Sequence, residues 1–185
     1  MTYKVEKVNP YGTDKSKKEQ VETMFDEIAP NYDKLNGLLS LGIDEYWRRE
    51  SIKALKPYKP EYILDIATGT GDFAILAQKI LNPKRIIGID ISEGMMAVGR
   101  EKVKGKRLEQ VITFERQDSS ELSFPDETFD AVTAAFGIRN FEDIDKSFGR
   151  VLRVLKPGGV FLFIELSTPE VKPMKALYEI YTKYV

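Results

Sequence analysis

The apolar positions of the first sixty residues recur three or four residues apart, which is the spacing of one helix face. From Lys15 onward this pattern predicts a first helix that ends at Pro30, because proline cannot continue a helix. A shorter helix is predicted around residues 35–39, and a third from Ile43 to Leu55. Residues 1–14 carry few apolar positions and are expected to form a loose arm.

After Pro60 the pattern changes to apolar runs of strand length that alternate with helix-length segments. Strands are predicted at 62–67, 85–91, 111–116, 129–136 and 160–166, and helices at 72–81, 92–103 and 144–155. Continuous apolar runs are typical of a parallel sheet that is covered by helices on both faces. We therefore predict an α/β fold, with residues 1–60 as an arm and helical cap and residues 61–185 as the core.

Composition narrows the chemistry, because the 185 residues include neither cysteine nor histidine. Disulfides, thiolate zinc sites and histidine-based catalytic triads are thereby excluded, and we predict no metal site. The 28 basic and 29 acidic residues leave a net charge of −1, which predicts no nucleic-acid partner. The apolar run from Gly158 to Ile164 is too short to span a bilayer, so a cytoplasmic globular protein is expected.

Three strand ends carry candidate binding residues, since ligands of a parallel α/β sheet bind beyond the carboxyl ends of its strands. Gly69 and Gly71 permit a tight turn with backbone N–H groups facing a ligand, although they also fit a dinucleotide pattern or a purely structural turn. Asp90 ends the second strand, where an acid can accept from both ribose hydroxyls. Asp118 and Ser119 follow the third strand and suit either an adenine amine or a simple turn.

Together these segments resemble the class I S-adenosylmethionine-dependent methyltransferases. The stretches 24–33, Met-Phe-Asp-Glu-Ile-Ala-Pro-Asn-Tyr-Asp, and 136–140, Phe-Gly-Ile-Arg-Asn, narrow the resemblance to the ubiquinone/menaquinone-biosynthesis C-methyltransferases. The resemblance implies a Rossmann-like sheet and S-adenosyl-L-methionine as cofactor. It also implies binding by Thr70, Asp90, Asp118 and Ser119, with a backbone cradle from Gly69 and Gly71. Ala135 stands at a position where relatives can carry serine.

The resemblance implies methyl transfer to a ring carbon of demethylmenaquinol or a related demethylated quinol. A neutral aromatic carbon is a poor nucleophile, so the neighbouring hydroxyl is expected to lose its proton. Lowering its pKa from ~10 to ~7 needs about 4 kcal/mol, most of which one arginine and the sulfonium could supply. Arg139 is the candidate cation, with a surface salt bridge to Glu142 or Asp143 as the alternative. The proton is expected to leave through water, Tyr32 or Asp33, unless these two residues only end and cap helices.

The end of the chain gives three more expectations. Methyltransferases of this class add a sixth and a seventh strand, which a chain that stops at Val185 is expected to lack. A stripe at helical spacing either packs on the cap or lines a channel for an isoprenoid tail; its members are Met174, Leu177, Tyr178, Tyr181 and Val185. The second interpretation predicts a prenylated substrate and transient peripheral membrane contact. The protein could also form a homodimer, and the sequence does not decide this.

Competing functions are a methyltransferase for another small molecule and a non-catalytic S-adenosylmethionine-binding scaffold. A nicotinamide-dependent dehydrogenase would fit the glycines and Asp90 but would leave Asp118 and Arg139 without a role.

Overall fold

The structure is a computed structural model that describes residues 3–40 and 42–166. Within this part of the chain, three α-helices precede the first strand: α1 (Lys17–Ile28), α2 (Tyr32–Ser40) and α3 (Ile43–Lys53). Ser16 caps α1, since its Oγ accepts the N–H of Glu19 at 3.2 Å and the Glu19 carboxylate accepts the N–H of Ser16 at 2.9 Å. This reciprocal pair fixes the start of α1 slightly later than the pattern predicted.

The following elements alternate as expected: β1 (Tyr62–Ile66), α4 (Asp72–Leu81), β2 (Arg85–Asp90), α5 (Glu93–Gly105), β3 (Ile112–Arg116), β4 (Phe129–Ala135), α6 (Ile144–Val154) and β5 (Leu155–Ile164). In the described residues the strands form one parallel sheet in the order β3-β2-β1-β4-β5. The predicted α/β fold class is therefore confirmed. The strand order reverses between β1 and β4, and that switch point is where such sheets bind ligands.

The start of β5 differs from the prediction. The sequence Lys-Pro-Gly-Gly at 156–159 predicted the end of a helix and a strand beginning at Val160. Instead Leu155 is already extended and pairs with Phe129, and a register shift follows before Val160 pairs with Ala131. Gly158, at φ 80°, accommodates this irregularity, so the segment belongs to the strand rather than separating it from α6.

The sheet separates two apolar clusters, because neighbouring residues of a strand point to opposite faces. Ile63 packs with residues of α4 and α5 on one face, whereas Leu64 packs with residues of α6 on the other. Ile52 and Leu55, in and just after α3, join the first cluster and are 0% and 1% exposed. Full burial of each stabilises the fold by about 1.5–3 kcal/mol, which holds α3 against the core.

Candidate active site

A cavity of about 450 Å³ lies beyond the carboxyl ends of β1, β2 and β4. This volume lies within the range of sites that hold small ligands. We call it the main cavity. Its wall includes Gly69 and Asp90 from the core, Lys18 and Phe25 from α1, and Tyr32 at the start of α2. Residues of the core and of the N-terminal helices thus surround one space.

Asp90 ends β2 and holds the glycine turn in place. Its Oδ2 accepts the N–H of Gly69 at 2.8 Å, and its Oδ1 accepts the N–H of Ser92 at 3.0 Å. Burial raises the pKa of the Asp90 carboxyl above its usual range, against the hydrogen bonds that favour the ionised form. Gly69 has a φ of 56°, a left-handed conformation that glycine adopts without strain. The structure therefore brings these two predicted residues together at one wall of the main cavity.

Gly71 serves the packing of the same turn. Its φ is 77°, and an added Cβ would lie 2.7 Å from Cζ of Phe114, a distance too short for real Cβ contacts. The Phe114 ring projects from β3 against two more glycines, Gly88 and Gly99, where an added Cβ would lie 3.0 Å from it. Gly71 is not part of the described wall of the main cavity. Its part in a backbone cradle stays a prediction.

Thr70 faces α2 through a buried hydroxyl. Its Oγ1 donates to Oδ1 of Asp33 at 2.6 Å, and Lys102 donates to Asp33 Oδ2 at 2.8 Å and to Thr70 Oγ1 at 3.1 Å. Burial raises the pKa of Asp33, but the hydrogen bonds from Lys102 and Thr70 outweigh it, so the pKa lies below its usual range. The charged form of Asp33 thus ties the start of α2 to the glycine turn.

Asp118 and Ser119 lie next to each other on the wall of the main cavity, and their binding of a cofactor stays a prediction. Asp118 Oδ2 accepts from Lys18 Nζ at 2.8 Å, and its Oδ1 accepts the N–H of Ser120 at 2.8 Å. Burial raises the pKa of Asp118, but these two partners outweigh it and hold the pKa below its usual range. Ser119 is buried, and its Oγ donates to Oγ of Ser147 on α6 at 3.0 Å.

Charged residues of α1 contact the core loops, and the sequence analysis did not single them out. Lys18 pairs with Asp118, as described above, and Asp26 Oδ1 accepts from Ser92 Oγ at 2.6 Å and from the N–H of Gly94 at 2.9 Å. Lys18 lies seven residues before Phe25, so both share the helix face that lines the main cavity. That spacing is the signal that could have marked Lys18.

Of the two candidate catalytic residues, Tyr32 lies on the described wall of the main cavity and Arg139 does not. Tyr32 lines the main cavity, and its ring packs edge-on against Phe25 at 6.0 Å between centroids. Arg139 is 42% exposed and is not among the described residues of the cavity wall. Its Nη1 donates to Glu165 Oε1 at 2.8 Å, and its N–H donates to Oε2 at 3.1 Å. The salt bridge considered as an alternative is present, but its partner is Glu165. Asn140, the next residue, does line the cavity.

A second, smaller cleft adjoins the main cavity, and we call it the small cleft. It measures about 30 Å³, and its wall includes Arg48, Asp65 and Asp72, together with Tyr32 and Gly69, which also line the main cavity. Asp65 accepts from Thr68 Oγ1 and Thr133 Oγ1, each at 2.6 Å. Burial raises the pKa of Asp65 to about 6 despite these hydrogen bonds.

The chain is similar in sequence and in fold to known methyltransferases. A model of the ubiE/COQ5 methyltransferase family matches residues 13–185. The chain is 58% identical over 185 residues to a Bacteroides fragilis protein named demethylmenaquinone methyltransferase, covering 100% of this chain and 76% of that protein. The solved structure of a SAM-dependent methyltransferase from Aquifex aeolicus has a TM-score of 0.58 at 25% identity, over 65% of this chain and 66% of that one. The cyclase SpnF has a TM-score of 0.73 at 23% identity, over 84% of this chain and 62% of that one, which shows the fold alone.

The family match covers the N-terminal helices as well as the sheet, and therefore both sides of the main cavity. This confirms the resemblance found in the sequence. The chain belongs to the ubiE/COQ5 methyltransferase family.

Proposed function

We propose that this protein transfers a methyl group from S-adenosylmethionine to a ring carbon of demethylmenaquinol or a related demethylated quinol. The observation that carries the proposal is the main cavity, where the ends of adjacent strands place Asp90 and Asp118 in one wall. Family membership and the name of the Bacteroides fragilis relative support the reaction class and the acceptor. Residues 1–60 are proposed to cap a cofactor-binding core formed by residues 61–185.

The donors and acceptors of the cavity wall fit this cofactor. The Asp90 carboxylate, held by two N–H groups, keeps oxygen lone pairs for ribose hydroxyls. Asp118 is ionised and can accept from an adenine amine in addition to Lys18. Ser119 and the turn 69–71, with Thr70 at its centre, are proposed to complete the contacts. Ala135 contributes a methyl group where relatives can carry serine, so no hydroxyl contact is proposed there.

Activation of the acceptor falls to this chain's own residues. When bound, the cofactor would supply an electrophilic methyl group to the ring carbon and would leave as the neutral thioether S-adenosylhomocysteine, while the methylated ring carbon would lose its proton to solvent. Arg139 is proposed to stabilise the quinol anion and Tyr32 to relay the hydroxyl proton to water. Since Glu165 neutralises much of the Arg139 charge, this role requires the arginine to exchange Glu165 for the quinol oxygen.

A prenylated acceptor requires contact with an apolar phase. No helix in residues 3–40 and 42–166 is long and apolar enough to cross a membrane. Large apolar side chains are exposed on the two helices that flank the turn between α2 and α3: Leu38 of α2 at 71%, and Tyr46 and Trp47 of α3 at 61% and 46%. Aromatic and aliphatic side chains of this kind suit an interfacial position, which supports transient peripheral membrane contact from the cytoplasmic side. The C-terminal stripe from Met174 lies outside the described residues, and homodimerisation is a further proposal.

The decisive experiment measures transfer of labelled methyl from S-adenosylmethionine to demethylmenaquinol. Asp90→Asn is expected to lose most transfer, because the carboxylate is proposed to hold the ribose. Asp126→Asn is the matched control, since Asp126 is 72% exposed and pairs with Arg153. Calorimetric titration with S-adenosylhomocysteine and, separately, with NAD accompanies the assay.

The outcomes separate the candidate functions. Binding of NAD without S-adenosylhomocysteine would reject the methyltransferase assignment. Binding of S-adenosylhomocysteine without transfer to the quinol would leave another acceptor or a non-catalytic scaffold and would reject the quinol. Equal transfer by Asp90→Asn and Asp126→Asn would reject the assigned cofactor site.

A further inference from the structure

Arg48 presents a guanidinium to the small cleft that neighbouring acids only partly satisfy. The side chain projects from α3 and is 12% exposed. Its Nη2 lies 3.5 Å from Asp44 and its Nη1 lies 3.7 Å from Asp72, both longer than the roughly 2.7–2.9 Å of a charge-assisted hydrogen bond. Within residues 3–40 and 42–166, its buried Nε has no hydrogen-bond partner. A buried donor without a partner is costly, so the site favours a ligand that completes it.

The position of the guanidinium is set from two sides. Its central carbon lies 5.4 Å from the centroid of the Phe136 ring, a distance that permits cation–π attraction. Asp72, the first residue of α4, also pairs with Lys102, which reduces the negative charge that it directs at Arg48. These weak contacts thus orient the Arg48 guanidinium, and its N–H groups can still donate hydrogen bonds to a ligand.

The small cleft has the charges that a zwitterion requires. Arg48 is the sole cation among the described residues of its wall, which also carries the carboxyls of Asp65 and Asp72. The cleft shares Gly69 and Tyr32 with the main cavity, so one ligand can extend from one space into the other. Its volume of about 30 Å³ admits a small polar group rather than a ring system.

We propose that Arg48 binds the carboxylate at the amino-acid end of S-adenosylmethionine in the small cleft. The inference rests on the proposed function, because it assumes this cofactor in the main cavity. A planar guanidinium can hold a carboxylate through two parallel N–H donors, whereas an ammonium acts as a single charge. Arg48 therefore couples cofactor recognition to α3, a helix of the predicted N-terminal cap.

The test is calorimetric titration, without quinol, of S-adenosylmethionine and its decarboxylated analogue, which differ by that carboxylate. Arg48→Met is expected to weaken binding of S-adenosylmethionine by about 10- to 100-fold, as for loss of a charged hydrogen-bonded pair. Binding of the decarboxylated analogue is expected to change less than about threefold, a shift below a typical charged contact. Arg49→Met is the matched control, because Arg49 is exposed and pairs with Glu45 on the same helix.

Arg48→Lys keeps the charge but loses the fork, and it carries the test if the methionine variant fails to fold. This variant is expected to weaken binding of S-adenosylmethionine less than Arg48→Met does. As with Arg48→Met, the weakening is expected to be greater for S-adenosylmethionine than for its decarboxylated analogue. Equal losses for both ligands, or no loss for either, would overturn the role of Arg48. Failure of the wild-type protein to bind either ligand would instead reject the proposed function.

Discussion

Replacement of Gly99 by alanine is expected to destabilise the protein, although the same change inside an exposed helix usually stabilises it by about 0.5–1 kcal/mol. Gly99 lies within α5, and an added Cβ would lie 3.0 Å from Cζ of Phe114 and 3.2 Å from the Thr70 carbonyl carbon. The ring has little room to withdraw, because it also packs against Gly71 and Gly88, where an added Cβ would lie 2.7 Å and 3.0 Å from it, respectively. Overpacking of this kind costs about 1–3 kcal/mol, so a net loss of about 1 kcal/mol remains.

Gly149→Ala is the matched control for this prediction. Gly149 lies within α6, and an added Cβ there would meet nothing within 4 Å, so only the gain in helix propensity remains. The difference between the two variants isolates the contact with Phe114 and is expected to reach about 2–10 °C in Tm. Thermal unfolding followed by circular dichroism measures it. Equal or greater stability of Gly99→Ala would refute the reasoning, and Phe114→Leu in the Gly99→Ala background is expected to recover the loss.

Three further predictions concern charged side chains. Burial raises the pKa of Asp65 to about 6, so the folded state holds a proton that the unfolded chain releases near pH ~3.9, and stability falls as pH rises between these values. Asp65→Asn should remove about 3 kcal/mol of that dependence in urea unfolding, and an unchanged profile would contradict it. Lys17 donates to the carbonyl oxygens of Val5, Arg139 and Phe141. Lys17→Met should lower the free energy of unfolding by at least about 2 kcal/mol in the same assay, and an unchanged urea midpoint would count against these hydrogen bonds. Arg139→Ala should lower methyl transfer at least about tenfold with unchanged affinity for S-adenosylhomocysteine, and near-normal turnover would remove its proposed role.

The elements of the sheet could be predicted because each strand contains a short segment rich in apolar residues, and segments of helix length separate the strands. The start of the helix predicted from residue 92 also agrees with the structure, because Ser92 is the N-cap of α5 and its Oγ accepts the N–H of Met95 at 3.1 Å. The start of β5 could not be predicted, because local sequence favours a stop at Pro157 while pairing of Leu155 with the distant Phe129 decides the outcome. Long-range pairing overrides a local signal in this case.

The residues of the site that lie at strand ends could also be predicted from the sequence. The carboxyl ends of parallel strands meet at one edge of the sheet, so the positions of Asp90 and Asp118 in the sequence already predict that they lie close together. The contact of Lys18 with Asp118 depends on how α1 docks, which the helical pattern alone does not specify. Arg139 had several acids within reach, and the path of the chain after β5 selects Glu165.

The loops after β1, β2 and β3 are each fastened to an N-terminal helix by one charged side chain: Asp33, Asp26 and Lys18, respectively. Docking of α1 and α2 and the arrangement of these loops are therefore thermodynamically linked, and the linkage is reciprocal. A ligand that orders the loops lowers the free energy of the docked helices by the same amount that docking adds to its affinity. Hydrogen exchange at the amides of α1 and α2 would then slow on binding, although the loops that hold the ligand belong to the sheet.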